Sequence, residues 1–118
     1  MEALRKVDFL FMHVEAPDEA GHVGDIEEKI RAIENFDKLV VGPIIEELSR
    51  SKEHRAIVLP DHLTPIRVRT HVADPVPYAV CGTGVPAGGA SSYSEAEAQK
   101  SGTMFENGYE LLPSYLKA

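Results

Sequence analysis

The chain has 118 residues, the length of one domain, and its 43% hydrophobic and 26% charged residues are typical of a globular protein rather than a disordered or fibrous one. Nineteen Asp and Glu residues against twelve Lys and Arg residues give a net charge of −7. This acidic balance argues against electrostatic binding of a nucleic-acid backbone.

Cysteine content and apolar runs bear on the cellular compartment. The one cysteine, Cys81, excludes an internal disulfide bond and a thiolate zinc knuckle, which fits a reducing compartment. No apolar run reaches the roughly 18 residues of a membrane span, and the opening sequence MEALRK lacks the apolar stretch of a secretory signal. We therefore expect a cytoplasmic protein that does not contact a membrane.

The first half of the chain predicts a strand followed by a long helix. The apolar run VDFLFMHV at 7–14 has the composition of a central strand covered on both faces. After a polar connection, Asp25 with Glu28 three positions later predicts a helix N-cap, and apolar residues spaced three and four apart predict a helix over 26–41. Gly42-Pro43 interrupts this pattern, but further apolar residues continue it, so we expect one bent helix that ends near Arg50.

The second half of the chain predicts further strands. RAIVLP at 55–60 has the composition of a buried strand, and the order strand, helix, strand predicts that it lies parallel to 7–14 after a right-handed crossover. PYAVCG at 77–82 is a third strand candidate. The expected fold class is therefore α/β, a partial parallel sheet with flanking helices, in a single domain over 1–118.

The C-terminal third predicts a loop and two short helical segments. The stretch 83–92 contains Gly, Pro and hydroxyl residues and predicts a loop. Ser94 with Glu97 predicts a capped helix that ends at Lys100, and an amphipathic segment follows at 110–116.

Acidic and histidine side chains stand where the predicted strands end. Ligands of parallel α/β sheets bind at the carboxyl ends of the strands, where loops and helix N-termini meet. The first two strands and the loop that leads into the third would bring the following residues to one edge of the sheet: His13, Asp18, His22, Asp61, His62 and His71.

Asp18 and His22 have the spacing of a metal-binding pair. They are four positions apart and face the same way if the connection forms a helical turn from Pro17. A carboxylate oxygen with an imidazole nitrogen suits Zn²⁺ or Mn²⁺ better than Ca²⁺ or Mg²⁺, which prefer oxygen ligands. His71 would complete a set of two His and one Asp. The alternative interpretation is that each is a solvated surface residue.

Asp61 and His62 are adjacent, and adjacent residues of a strand point to opposite faces. Both reach one ion only if the chain turns there, which Thr64-Pro65 favours. The alternative is a helix cap or an Asx turn at the end of the strand.

Two arginines are candidates for binding an anion. Arg67 and Arg69 alternate with Val68, so both guanidinium groups could face a phosphate or carboxylate of a substrate. The alternative is a pair of exposed charges on an edge strand. Cys81, within an apolar run, is interpreted as a small buried side chain.

Several separated segments resemble one known family. HVEAPDEAGHVGD at 13–25, LPDHLTPI at 59–66 and RTHVADPVPYAV at 69–80, followed by YSEAEAQKSG and GYELL, are similar to the C-terminal part of archaeal-type cofactor-independent phosphoglycerate mutases, within the alkaline phosphatase superfamily. Those enzymes interconvert 3-phosphoglycerate and 2-phosphoglycerate with two divalent ions and a transiently phosphorylated serine. The resemblance implies an alkaline-phosphatase-like core that lacks its N-terminal strands.

The resemblance also implies roles for the acidic and histidine residues. It implies that Asp18, His22 and His71 hold one ion. It implies that Asp61 and His62 contribute to the other, which the family completes with an aspartate and the nucleophilic serine from earlier in the sequence. The chain has no DGxGD-like motif and no serine beside a metal-ligand pattern, so we expect it to lack both.

The expected function is that of a metal-dependent phosphoglycerate mutase, or a part of one that is inactive alone because the phosphorylated serine is missing. The implied ions are Mn²⁺ or Zn²⁺, with Co²⁺ or Mg²⁺ as alternatives, and His13, Arg67 and Arg69 are candidates to bind a phosphoglycerate-type substrate. Two other functions stay open: a metal-dependent phosphohydrolase of the same superfamily, and a non-catalytic metal-binding module that associates with an N-terminal partner chain or with a second copy of itself.

Overall fold

The structure is a computed structural model that describes residues 3–50 and 53–116. The chain divides into two compact units: the first comprises Met1–Lys52 and Asp61–Pro75, and the second comprises Glu53–Pro60 and Val76–Ala118. All of the predicted metal ligands belong to the first unit. In the described ranges no helix is both long and apolar enough to span a bilayer.

Helix α1 (Ala16–Val23) occupies most of the predicted polar connection. Pro17 stands in its first turn, where an intrahelical N–H donor is not needed. Gly24 ends the helix with a φ of 77°, in the left-handed region that glycine adopts without a Cβ clash. The helical turn on which the pairing of Asp18 with His22 depends is therefore confirmed.

Helix α2 (Ile26–Phe36) begins where the sequence predicts. Asp25 caps it, because its side-chain Oδ1 accepts a hydrogen bond from the Glu28 N–H at 2.8 Å. The Glu28 carboxylate pairs with Arg31 instead of returning to the cap. Ala32 is the buried residue of this helix, and α2 packs against α1.

The helix continues through Gly42-Pro43, as predicted. A π-helical turn (Asp37–Val41) joins α2 to helix α3 (Gly42–Leu48), and the Gly42 N–H bonds to the Asp37 carbonyl five residues earlier. Pro43 has no N–H to donate, and the wider turn falls directly before it. The helical segment ends close to Arg50, which confirms the predicted end.

The prediction of a strand at 7–14 is wrong for this structure. The run has no helical or strand conformation, and the side chains of Phe9 and Phe11 are 53% and 76% exposed. The sheet of the described residues has two strands, β1 (Arg55–Val58) and β2 (Ala79–Gly82), and they pair antiparallel. An apolar run becomes a strand only when a neighbouring backbone supplies ladder hydrogen bonds. The α/β class is therefore observed, whereas the predicted parallel sheet is not observed in the described ranges.

The second unit contains β1 and β2, two of the three predicted strands. Their register pairs Arg55 with Gly82 and Val58 with Ala79. Alternate residues of β2 are exposed, and Cys81 is among them, so the prediction of a buried cysteine is wrong. The reason is geometric: side chains alternate between the two faces of a strand, and the Cys81 face is left uncovered.

The remaining helices follow the sequence prediction. Helix α4 (Glu95–Ser101) is capped by the Ser94 hydroxyl, which accepts from the Glu97 N–H at 3.3 Å, and the stretch 83–92 has neither helix nor strand. Helix α5 (Leu111–Leu116) follows a short 3₁₀ turn and buries Leu111. Both short helical segments are confirmed.

Candidate metal centre

Helix α1 places a carboxylate and an imidazole side by side. The Asp18 Oδ2 atom lies 3.3 Å from His22 Nε2, one helical turn away. Their side chains are 33% and 41% exposed, so the pair is open to solvent on one side. This is the geometry that the i, i+4 spacing predicts.

The segment 61–72 brings two further histidines to this pair. The Val72 N–H donates to the Leu63 carbonyl at 3.0 Å, and this single bridge folds the segment back on itself. The rings of His62 and His71 consequently stack with their centroids 3.6 Å apart. The sequence did not predict this bridge. It brings the two ends of the segment together, and with them the side chains of His62 and His71.

The two sets of side chains meet. The His71 Nε2 atom lies 3.1 Å from His22 Nε2 and 3.4 Å from Asp18 Oδ1. Ligand atoms of Asp18, His62 and His71 all lie within 4.8 Å of one another. Side chains from two distant parts of the sequence, helix α1 and the segment 61–72, therefore lie close together.

Asp61 lies at the edge of this cluster. Its Oδ2 atom is 3.5 Å from His62 Nε2, and its side chain is 63% exposed. Its Oδ1 atom accepts from the His62 N–H at 3.1 Å, the local turn that lets adjacent residues face the same region. His13 is exposed, and its ring stacks on Phe11 at 6.5 Å.

The segment with Arg67 and Arg69 is a turn and not an edge strand. The N–H groups of Val68 and Arg69 both donate to the Pro65 carbonyl, at 2.9 and 2.8 Å. Arg69 has a φ of 57°, which is uncommon for a residue with a side chain. The alternation that would point both guanidinium groups the same way is thus lost. The Arg69 guanidinium lies against Gly24, at the C-terminal end of α1.

The Arg69 backbone has a role that the sequence does not reveal. Its carbonyl accepts a hydrogen bond from His22 Nδ1 at 3.0 Å. A neutral imidazole that donates from Nδ1 carries its lone pair on Nε2, the atom that faces Asp18 and His71. Arg69, whose backbone is in the left-handed region, thus supplies the carbonyl that fixes the tautomer of His22.

Thr64 is a second residue of the site that sequence reasoning missed. It is 4% exposed, and its hydroxyl donates a short hydrogen bond to Asp18 Oδ1. The same Oγ1 atom lies 3.3 Å from His62 Nδ1. The sequence offered only its position two residues after His62 as a signal, and threonine is too common beside a turn for that position to be diagnostic.

The surroundings of Asp18 favour its ionised form. The hydrogen bond from Thr64 lowers the pKa of the Asp18 carboxyl, and the neighbouring His22, His71 and His62 lower it further. Desolvation opposes these effects by raising the pKa. An ionised carboxylate is the form that binds a metal ion.

The donor set fits a divalent transition metal ion. It combines carboxylate oxygens with several imidazole nitrogens, which suit Zn²⁺ and Mn²⁺ and are unlike the all-oxygen sets of Ca²⁺ and Mg²⁺. Two of the nitrogens face each other at 3.1 Å, so without an ion one ring must donate an N–H to the other. A bound ion would use the lone pairs of both.

Comparison with known families agrees with this geometry. A family model described as the metalloenzyme superfamily matches residues 1–107, and the chain belongs to this superfamily. The match includes every predicted ligand and extends over parts of both compact units.

Curated relatives to which the chain is similar include 2,3-bisphosphoglycerate-independent phosphoglycerate mutases. The chain is 50% identical over 113 residues to the mutase of Methanothrix thermoacetophila, a match that covers 95% of this chain and 29% of the relative. It is 61% identical over 93 residues to mutase 2 of Methanothermobacter thermautotrophicus, which covers 79% of this chain and 23% of the relative. The chain thus spans less than a third of the length of these relatives.

A solved structure supports the fold. The PH0037 protein from Pyrococcus horikoshii is similar with a TM-score of 0.78 and 34% identity, over 84% of this chain and 29% of that one. The likeness again concerns a limited part of a longer protein.

Proposed function

We propose that this chain is the metal-binding part of a 2,3-bisphosphoglycerate-independent phosphoglycerate mutase and has little mutase activity by itself. The observation that carries the proposal is the convergence of Asp18, His22, His62 and His71 in one cluster. Identity of 50% to a mutase over 113 residues supports the substrate class, a phosphoglycerate. The proposal includes one domain over 1–118 and a cytoplasmic location, which the single cysteine supports.

The ligands divide between two ions. Asp18, His22 and His71 hold one ion, and Asp61 with His62 contributes to the second, with Mn²⁺ or Zn²⁺ as the metals. Two such ions stabilise negative charge on a transferring phosphoryl group and activate an attacking hydroxyl. The serine and the remaining ligand of the second ion come from outside this chain.

His13, Arg67 and Arg69 are the proposed contacts to the phosphoglycerate. All three are exposed, so a substrate could reach them. The phosphate and carboxylate groups of the substrate suit guanidinium and imidazole donors. Because the Arg69 guanidinium lies against Gly24, it would have to leave helix α1 to reach the substrate.

The apolar run 7–14 is the proposed contact with the rest of the enzyme. Phe9, Phe11 and Met12 are all about half exposed or more, at 53%, 76% and 48%. More than two thirds of each relative's length lies outside its match to this chain, which is ample protein to cover the run. In the complete enzyme, whether one chain or two, we expect 7–14 to become a parallel strand with ladder bonds on both edges.

Metal titration tests the first ion site. Calorimetry with Mn²⁺ and with Zn²⁺ should show binding to the wild type and its loss in Asp18→Ala, because removal of the carboxylate removes one of three ligands. Asp8→Ala changes an exposed aspartate of the same unit and should bind as the wild type does. Equal affinity in the wild type and Asp18→Ala would remove Asp18 from the ligand set, and no binding by the wild type would refute the site.

An enolase-coupled assay tests the activity. The chain alone with added Mn²⁺ should show no turnover, because it lacks the phosphorylated serine. Turnover at ordinary enzyme rates of about 1–1,000 per second would refute the proposal that the chain alone is an incomplete mutase.

A second candidate function is association without catalysis, and the exposed run 7–14 favours it. Light scattering should then detect assemblies of the isolated chain that Phe11→Ser reduces, with Tyr109→Ser, an exposed aromatic of the second unit, as the control. A strictly monomeric wild type would contradict this candidate.

A further inference from the structure

Thr64 differs from the other polar residues in the described part of the chain because it is the one that is buried, at 4% exposure. A buried hydroxyl needs partners, since leaving it without a hydrogen bond costs free energy. Its partners are two of the proposed metal ligands, one from each proposed ion: it donates to Asp18 Oδ1 and lies 3.3 Å from His62 Nδ1.

The direction of these hydrogen bonds is set by the chemistry of the groups. An ionised carboxylate only accepts, so the Thr64 proton goes to Asp18. The Thr64 oxygen is then free to accept, and the group that faces it is Nδ1 of His62. A His62 ring that donates from Nδ1 presents its lone pair on Nε2, the nitrogen that faces Asp61.

The bond to Asp18 also distinguishes the two carboxylate oxygens. Thr64 donates to Oδ1, which also lies 3.4 Å from His71 Nε2, whereas Oδ2 faces His22. Each carboxylate oxygen therefore faces one of the two histidines proposed for the same ion, and the hydrogen bond from Thr64 fixes the rotation of the carboxylate between them.

We propose that Thr64 is a positioning residue that orients a ligand of each metal ion, Asp18 and His62. This inference rests on the proposed function, because it assumes that these side chains bind metal. Thr64 does not touch the substrate in this role; it acts through the two ligands.

Two contacts hold Thr64 in place. The Lys29 ammonium group donates to the Thr64 carbonyl at 2.6 Å and so ties helix α2 to the segment 61–72. Gly21 of α1 lies so close that a Cβ there would be 2.6 Å from the same carbonyl oxygen and 2.9 Å from Thr64 Cγ2. The position of the hydroxyl is therefore set by helices α1 and α2.

The test compares two variants of the full chain by Mn²⁺ calorimetry and by the visible absorption spectrum of bound Co²⁺. Thr64→Val keeps the shape and removes the hydroxyl, and its Mn²⁺ affinity should fall about 10- to 100-fold, as expected for loss of a group that orients metal ligands. Thr64→Ser keeps the hydroxyl and should bind within a few-fold of the wild type, with an unchanged Co²⁺ spectrum. Thr103→Val, an exposed threonine of the second unit, is the matched control.

Thr64→Ser decides the inference even if Thr64→Val fails to fold. A folded Thr64→Ser protein that loses Mn²⁺ binding would overturn the inference, because it keeps the hydroxyl, as would a Thr64→Val variant with wild-type affinity and spectrum. Absence of Mn²⁺ binding by the wild type would instead refute the proposed metal site itself.

Discussion

Gly21→Ala is a sensitive test of the contact between helix α1 and the segment 61–72. Gly21 is buried in the middle of α1, where alanine is intrinsically the better helix former by about 1 kcal/mol. Helix propensity alone therefore predicts a more stable protein. The structure predicts the opposite, because the new Cβ would lie 2.6 Å from the Thr64 carbonyl oxygen.

The size of the effect follows from that distance. Ordinary contacts of a Cβ begin at 3.4 Å, so the segment must move away from α1 by about 0.8 Å. Backbone oxygen cannot rotate away as a side chain can, and Lys29 holds the same oxygen at 2.6 Å. Overpacking of this kind costs about 1–3 kcal/mol. After the gain in propensity, we expect a net loss of up to about 2 kcal/mol in the free energy of unfolding.

The two readouts are urea unfolding and Mn²⁺ calorimetry. Displacement of the segment draws Thr64 and His62 away from Asp18, so Mn²⁺ affinity should fall by about tenfold or more. Gly108→Ala is the control, because no heavy atom lies within 4 Å of its Cβ position. A Gly21→Ala protein that is about 1 kcal/mol more stable and binds Mn²⁺ as the wild type does would refute the close approach.

Three further predictions concern local features of the chain. Asp25→Ala removes the N-cap of α2 and should lower the free energy of unfolding by about 1 kcal/mol, whereas Asp8→Ala should leave the urea midpoint unchanged. Gly24→Ala places a side chain at a φ of 77° and should lower the free energy of unfolding by about 1–2 kcal/mol. Gly88→Ala, which has open space around it, is the control. Equal urea midpoints for the two variants would contradict the left-handed cap. Tyr93 is 52% exposed, but its hydroxyl is partly buried and donates to the Pro77 carbonyl at 3.0 Å. This partial burial raises the pKa of the Tyr93 phenol to about 12 from its ordinary value of 10.0, with a smaller contribution from the charge of Glu95. The folded state thus favours the protonated phenol, whose contribution to stability is complete below pH 10 and is lost as the pH rises through about 12. An ultraviolet titration of the wild type against Tyr93→Phe should show the phenol ionising near pH 12. A difference titration centred at 10 would argue against burial of the hydroxyl.

Local signals in the sequence were the reliable ones. The caps at Asp25 and Ser94 involve a backbone N–H three residues away, so their geometry is set within a single turn. The pairing of Asp18 with His22 needs only a helical turn, and Pro17 with Gly24 bounds that turn. These features were predictable because both partners of each hydrogen bond or ion pair lie in the same short segment.

The strand at 7–14 shows where composition is insufficient. Its Val and Phe residues describe a strand covered on both faces, yet a strand also needs hydrogen-bonding neighbours, which an apolar pattern does not supply. In the described ranges β1 pairs with β2 alone. The alternating pattern of Arg67 and Arg69 was misleading for a similar reason, because two bonds to the Pro65 carbonyl turn the chain there.

The sequence by itself determined the chemistry of the candidate site: which side chains can bind a metal, and which of them share a helical turn. Only the tertiary structure decided how they are held, because Thr64 reaches Asp18 across 46 positions and the Arg69 carbonyl reaches His22 across 47. Such contacts depend on two segments being packed together, and a threonine or a backbone carbonyl has no sequence pattern that reports its partner. Ligand identity is a property of single residues, whereas ligand orientation is a property of the packing between them.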